Sequence, residues 1–150
     1  MLEISDIIEL KSTDLKDRLS FATRYLVQIN FTFDLAIKSD MFFGTAHFCI
    51  RKDEIEKLCG DLRQMMITLQ GMTRLEDNDS DAFVEFAINN FGRIFISGQI
   101  GASYEDNFMQ YKFSTDNLAT DIFVHDLKNL LLYVDDEEYE KDYNMKYRQK

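Results

Sequence analysis

YLVQINFTFDLAIKSDMFFGTAHFCIRKDEIEKLCGDLRQMMITL, residues 25–69, is the stretch on which the reading of the whole chain turns. Its odd positions are apolar without a break from Tyr25 through Val27, Ile29, Phe31, Phe33 and Leu35 to Ile37. Between them stand Gln28, Asn30, Thr32 and Asp34, with Leu26 and Ala36 as exceptions. Alternate side chains of a strand leave opposite faces, so this period of two predicts one long strand with a buried side. Ser39 and Asp40 supply turn chemistry, and residues 41–51 return as a second β-rich run. The period then changes. Ile55, Leu58, Cys59, Leu62, Met65, Met66 and Leu69 recur at three and four, which is one stripe of a helix. Asp53 and Glu56 have the spacing of a capping box, and Gly71 is a natural stop.

Downstream the period of two returns in shorter pieces. Residues 72–76 predict a strand, residues 76–81 (EDNDSD) a loop, and residues 82–89 a strand with Val84, Phe86 and Ile88 on one face. Residues 93–100 predict the next, with Ile94, Ile96 and Ile100 inward and Phe95, Ser97 and Gln99 outward. Gly98 inside it points to a bulge or to close packing. After a loop at 101–107, residues 108–114 place Met109, Tyr111 and Phe113 together. Short turns between these runs imply an antiparallel meander. Thr115 or Asp116 then caps a second helix, with Leu118, Ala119, Ile122, Phe123, Leu127, Leu130 and Leu131 as its apolar stripe.

Residues 1–20 fit neither period, although Ser12 or Thr13 suits the cap of a short helix through Leu19; we expect this segment to cover a sheet edge. Beyond Tyr133 the tail, residues 135–150, is dense in charge. The expected fold is therefore α+β in two layers: one antiparallel sheet of about five to six strands, with two main helices packed on one of its faces. The order is ββα, then β-meander–α. Residues 1–150 are expected to form a single domain with segment 1–20 and tail 135–150 peripheral.

Composition narrows the function. The chain has 150 residues, a formal net charge of −10 and no proline or tryptophan. A surface of that sign repels phosphate backbones and steers toward basic partners, which argues against nucleic acid. No run approaches transmembrane length and the N-terminus is too charged for a signal peptide, so we expect no membrane association and a cytoplasmic location. Cys49 and Cys59 are read as two buried thiols in a reducing compartment, with a disulfide as the alternative.

Reactive constellations are absent from the sequence. Asp77, Asp79 and Asp81 are spaced like the opening of a calcium loop, but Ala82 falls where that loop needs glycine and Ile88 where it needs glutamate. His47 and His125 belong to different elements and have no third ligand near them in sequence, so no metal is expected. There is no nucleophile elbow, phosphate loop or dinucleotide fingerprint, so we expect no cofactor and no enzyme. An unrecognised hydrolase would need a pocket holding two close acids. Phe95 and Phe108 sit among Ser97, Gln99, Gln110 and Lys112, either as an interface centre or covered by the N-terminal segment.

The segments DAFVEF (residues 81–86), GRIFISGQI (92–100) and FMQYKFSTDNLATDIFVHDLKNLL (108–131), with FFGTAHFCIRKDEIEKLCGDL (42–62) before them, resemble the immunity proteins of the WapI type. The likeness covers residues 25–133 and rests on hydrophobic spacing, a glycine before a strand and a Thr-Asp cap. It departs from that family in its first strands and its acidic tail. The resemblance implies a small acidic cytoplasmic antitoxin, without enzymatic activity, that binds a toxin domain, often a nuclease. The charges expected to steer such a basic partner are Glu76, Asp77, Asp79, Asp81, Glu105 and Asp106, with Tyr104 and Phe95 as anchors. The alternative is a non-enzymatic adaptor or homodimerising protein acting through an open sheet face.

Overall fold

The computed structural model describes residues 7–134, so the charged tail at 135–150 lies outside the described residues. The chain runs β1 (Ile7–Lys11), β2 (Asp17–Val27), β3 (Asn30–Ser39), β4 (Phe42–Arg51), α1 (Lys52–Thr68), β5 (Met72–Glu76), β6 (Phe83–Ile88), β7 (Ile94–Ile100), β8 (Met109–Thr115) and α2 (Asn117–Tyr133). The α+β class and the antiparallel pairing agree with the sequence. The single sheet does not. The strands form two four-stranded sheets, β1-β2-β3-β4 and β5-β6-β7-β8, each in sequence order and each followed by a helix of 17 residues.

The long strand expected from Tyr25 is two strands and the turn between them. β2 pairs with β3 from Asp17↔Ser39 to Val27↔Asn30, leaving Gln28 and Ile29 as the turn, with Gln28 at φ 56°. The register also slips at Arg24, between Thr23 and Tyr25. An extra residue on one strand reverses which parity faces the core. Leu19, Phe21 and Thr23 are buried before the slip and Leu26 after it, while Val27 and Ile29 are exposed. From Phe31 the predicted alternation holds, with Phe31, Phe33, Leu35 and Ile37 fully buried.

No helix forms at Ser12. The hydroxyl of Ser12 donates to Asp14 and accepts from the Asp17 N–H, and Asp14 accepts from the Lys16 N–H. Side chains that can bond to their own backbone favour such turns over helix. Residues 12–16 thus connect β1 to β2, and the described part of the N-terminal segment, residues 7–20, belongs to the first sheet.

The helix ends differ in kind. Arg51 precedes α1 without a side-chain cap, and Asp53 takes an ion pair from Arg51 at 3.0 Å in place of the expected capping role. At α2 the Asp116 carboxylate accepts the Ala119 N–H at 2.9 Å, while Thr115 donates to the Lys11 carbonyl at 2.6 Å. The last turn of α1 ends with Leu69 in the left-handed region.

The two helices do not share one sheet face. They pack on each other, with α2 along β1 and α1 along β5. Phe123 of α2 has its ring 5.8 Å from Phe21 of the first sheet and 6.1 Å from Phe86 of the second. One buried side chain of that size contributes about 1.5–3 kcal/mol, and here it ties both sheets to one cluster. The sheets also meet directly. A β-carbon on Gly44 of β4 would lie 3.2 Å from Ile100 and 3.3 Å from Met109 at the start of β8, whereas Thr115 at its end bonds to β1. Strand β8 therefore runs across the strands of the first sheet.

Candidate functional site

The loops at 76–82 and 101–108 leave the same end of the second sheet, because β5 and β7 run in one direction and β6 and β8 in the other. Each loop is rich in acids, and unassisted repulsion would hold them apart. Neutral donors bind them together instead. Asp81 accepts from the Ser103 N–H at 2.9 Å, from the Ser103 hydroxyl, and from the Gln99 amide at 3.0 Å. The Tyr104 hydroxyl donates to the Asp79 carbonyl at 3.3 Å. Hydrogen bonds to the charged form, those of Ser103 first, hold the Asp81 carboxyl below its ordinary value.

Asp77 is placed differently from the acids around it. It is only 9% exposed. Its carboxylate accepts from the Cys49 N–H at 2.9 Å, the Asp79 N–H at 3.2 Å and the Ser80 hydroxyl at 2.6 Å. The Asn78 N–H donates to the Cys49 carbonyl at 2.9 Å. The loop therefore occupies both backbone groups of Cys49 on the edge of β4, as a neighbouring strand would. Asp77 fixes the loop to the first sheet and does not present its charge to solvent. Gln99, expected outward, is also buried, and its amide bridges Asp81 and the Gly101 carbonyl.

What remains exposed at this end is Glu76, Asp79, Asp81, Glu105 and Asp106, with Tyr104 70% exposed among them and Phe108 beside them in sequence. The acidic rim extends beyond the loop acids that the sequence singles out. Glu54, in the first turn of α1, has its carboxyl raised by burial and then by the charges of Asp53 and Glu76. The acidic rim thus reaches the start of α1. Acids in a first helical turn are a recognisable signal, but only the fold shows that this turn adjoins Glu76.

Phe95 does not join this group. It pairs with Ala87 and Ser114, whereas Gln99 pairs with Phe83 and Gln110 near the loops. Four residues separate the two positions, about 13 Å along a strand. Phe95 and Phe108 both remain about half exposed, and the described part of the N-terminal segment, residues 7–20, lies in the other sheet. Between the two ends, the β5–β6 side of the outer face carries an internal cluster. Arg74 stacks 3.7 Å above the Phe83 ring and reaches Glu76 at 3.4 Å and Glu85 at 3.7 Å.

The histidines are on separate elements. His47 bonds to Asp34 at 2.9 Å on the first sheet, where Arg24 meets the same carboxylate at 3.2 Å, and His125 is exposed on α2. Among the described residues no helix is long and apolar enough to cross a membrane. No family model, curated protein or solved structure matches the chain.

Proposed function

We propose that the chain is a binding protein that neutralises a basic protein partner by direct contact, in the manner of a WapI-type immunity protein acting on a toxin domain in the cytoplasm. The observation that supports this reading is the hydrogen-bonded pair of loops carrying Glu76, Asp79, Glu105 and Asp106 around the exposed ring of Tyr104. Carboxylates carried on mutually bonded loops around an aromatic side chain suit a basic surface, such as the one a nuclease offers its substrate. The charges speed encounter and the ring supplies buried contact area. Loops already bound to each other also lose little freedom when the partner docks.

The test is a tagged chain used as bait in lysate of the native cell, beside a variant carrying Asp79→Lys, Glu105→Lys and Asp106→Lys. Neither Asp77 nor Asp81 belongs in that set, because their carboxylates hold the loops. The expected result is one small basic protein retained by the parent chain at low salt, weakened by high salt, and lost with the variant. Equal recovery by both baits would remove the acidic rim from the binding surface.

A further inference from the structure

The hairpin of β3 and β4 ends in an apolar tip. Asp40 and Met41 make the turn between Ser39 and Phe42, which pair across it, with Asp40 at φ 55°. The Asp17 carboxylate, at the start of β2, accepts the Ser39 hydroxyl at 3.0 Å and the Asp40 N–H at 3.1 Å. The turn is thus tied to the neighbouring strand. From it Met41, Phe42 and Phe43 project in succession, 92%, 71% and 66% exposed. Single apolar side chains are common on protein surfaces, but three large ones in a row at a fixed tip read as a contact surface.

The fold sets this tip beside the acidic rim. A β-carbon on Gly44 would touch Ile100 and Met109, the residues that bracket the 101–108 loop. Phe43 precedes Gly44, and the half-exposed Phe108 precedes Met109. Phe42 lies two residues from Gly44, about 7 Å along the strand. Toward the other end of β4, Cys49 holds the 76–82 loop through Asp77 and Asn78. Both acidic loops therefore lie along β4, and the apolar tip stands at the end nearer Glu105 and Asp106.

The charges choose the occupant. At the tip itself Arg18 and Lys38, cross-strand neighbours beside Phe43, are matched by Asp17 and Asp40. The field at that end comes from the exposed carboxylates of the two loops, on a chain of net charge −10. A second copy would bring the same carboxylates against them, and an anionic membrane its own negative charge. We propose that Met41, Phe42 and Phe43 form the apolar anchor of the partner surface, seated in an apolar pocket of the same basic protein that the acidic loops steer. The inference rests on that reading of the loops and adds a second role to it. The carboxylates set how fast the partner arrives, and the tip sets how long it stays. Because the turn is already tied to Asp17, it loses little freedom on docking.

Three full-length chains test this by biolayer interferometry: the parent, the rim variant (Asp79→Lys, Glu105→Lys, Asp106→Lys) and a tip variant (Met41→Ser, Phe42→Ser, Phe43→Ser). The analyte is the basic protein that the parent retains from lysate, purified. The tip variant is expected to associate within about twofold of the parent rate and to dissociate about tenfold faster or more. The rim variant is expected to associate more slowly, most at low salt. Circular dichroism of the tip variant is expected to match the parent, since all three side chains are mostly exposed. Met41→Ser alone, at the most exposed of the three positions, is expected to speed dissociation in the same direction. A tip variant that dissociates like the parent overturns the anchor and leaves the rim intact. A rim variant that associates like the parent, beside a tip variant that dissociates faster, removes the steering role and keeps the anchor. Retention of no basic protein by the parent overturns both. Self-association in sedimentation velocity, or co-sedimentation with phosphatidylcholine–phosphatidylserine vesicles, that is lost with the tip variant assigns the tip to a second copy or a membrane and overturns the proposal.

Discussion

The phenol of Tyr111 closes over Gly98: a β-carbon at position 98 would stand 2.5 Å from the hydroxyl oxygen and would run into the carbonyl oxygen of Phe83. The requirement is spatial, since the position needs no unusual backbone angle. Gly98→Ala must displace the backbone of β6 as well as a side chain, and we expect a loss of about 1–3 kcal/mol in urea denaturation. The Tyr111 hydroxyl has no hydrogen-bond partner among the described residues, and burial raises its pKa far above that of a free phenol. Tyr111→Phe is therefore expected to be neutral or stabilising. A large loss from Tyr111→Phe would show that the hydroxyl is satisfied in solution.

Asp77 and Asp79 are two residues apart and have opposite expected costs. Removing the Asp77 carboxylate leaves the Cys49 N–H unpaired on the edge of β4 and releases the Asp79 N–H and the Ser80 hydroxyl. Asp77→Ala is expected to cost about 2–3 kcal/mol, the range for hydrogen bonds to a charged group in a buried setting. Asp79→Ala, on the exposed side of the same loop, is expected to stay within about 0.5 kcal/mol. Equal costs in denaturant titrations would refute the assignment of Asp77 to the joint between the sheets.

The difference between expected and observed folds traces to particular residues. The stripe of α1 and the alternation of β6 were legible because each keeps one period from end to end. The period of two across residues 25–37 hid a hairpin, because the slip at Arg24 shifted the parity just before a turn without glycine or proline. Gln28 adopts φ 56° without glycine's exemption from steric cost, so composition gave no sign of it. The acidic loops were legible as charge. Which of their acids bond inward depends on Ser103, Gln99 and the Cys49 N–H, which local sequence does not place beside them.

Acid should loosen the loop pair in a defined window. The ordinary carboxylate value is 3.8, and the folded pKa of Asp81 lies below it, chiefly through Ser103. A group depressed in the folded state contributes stability that is fully present above the unfolded value. That contribution is lost as pH falls through the folded one. In a carbon-detected titration of the side-chain carboxyls, the Asp81 midpoint is expected below 3.8 and to rise toward it in Ser103→Ala. An unchanged midpoint in that variant would mean that the Ser103 hydroxyl does not hold the carboxylate in solution.

The two thiols should differ in reactivity. Burial pushes Cys59 up to about 11, so at neutral pH almost none of it is thiolate, the form that attacks electrophiles. Cys49 is half-buried, and burial raises it too, but its side chain lies on the exposed face of β4. Iodoacetamide applied to the native protein, followed by peptide mass spectrometry, is expected to modify Cys49 first. Cys59 should react only at the rate at which the core opens, so added denaturant should accelerate Cys59 far more than Cys49. In a Cys49→Ser chain the remaining thiol should be protected in buffer and titrate fully in urea. Rapid labelling of Cys59 in buffer would mean that the packing of α1 against the sheets opens far more readily than its burial implies.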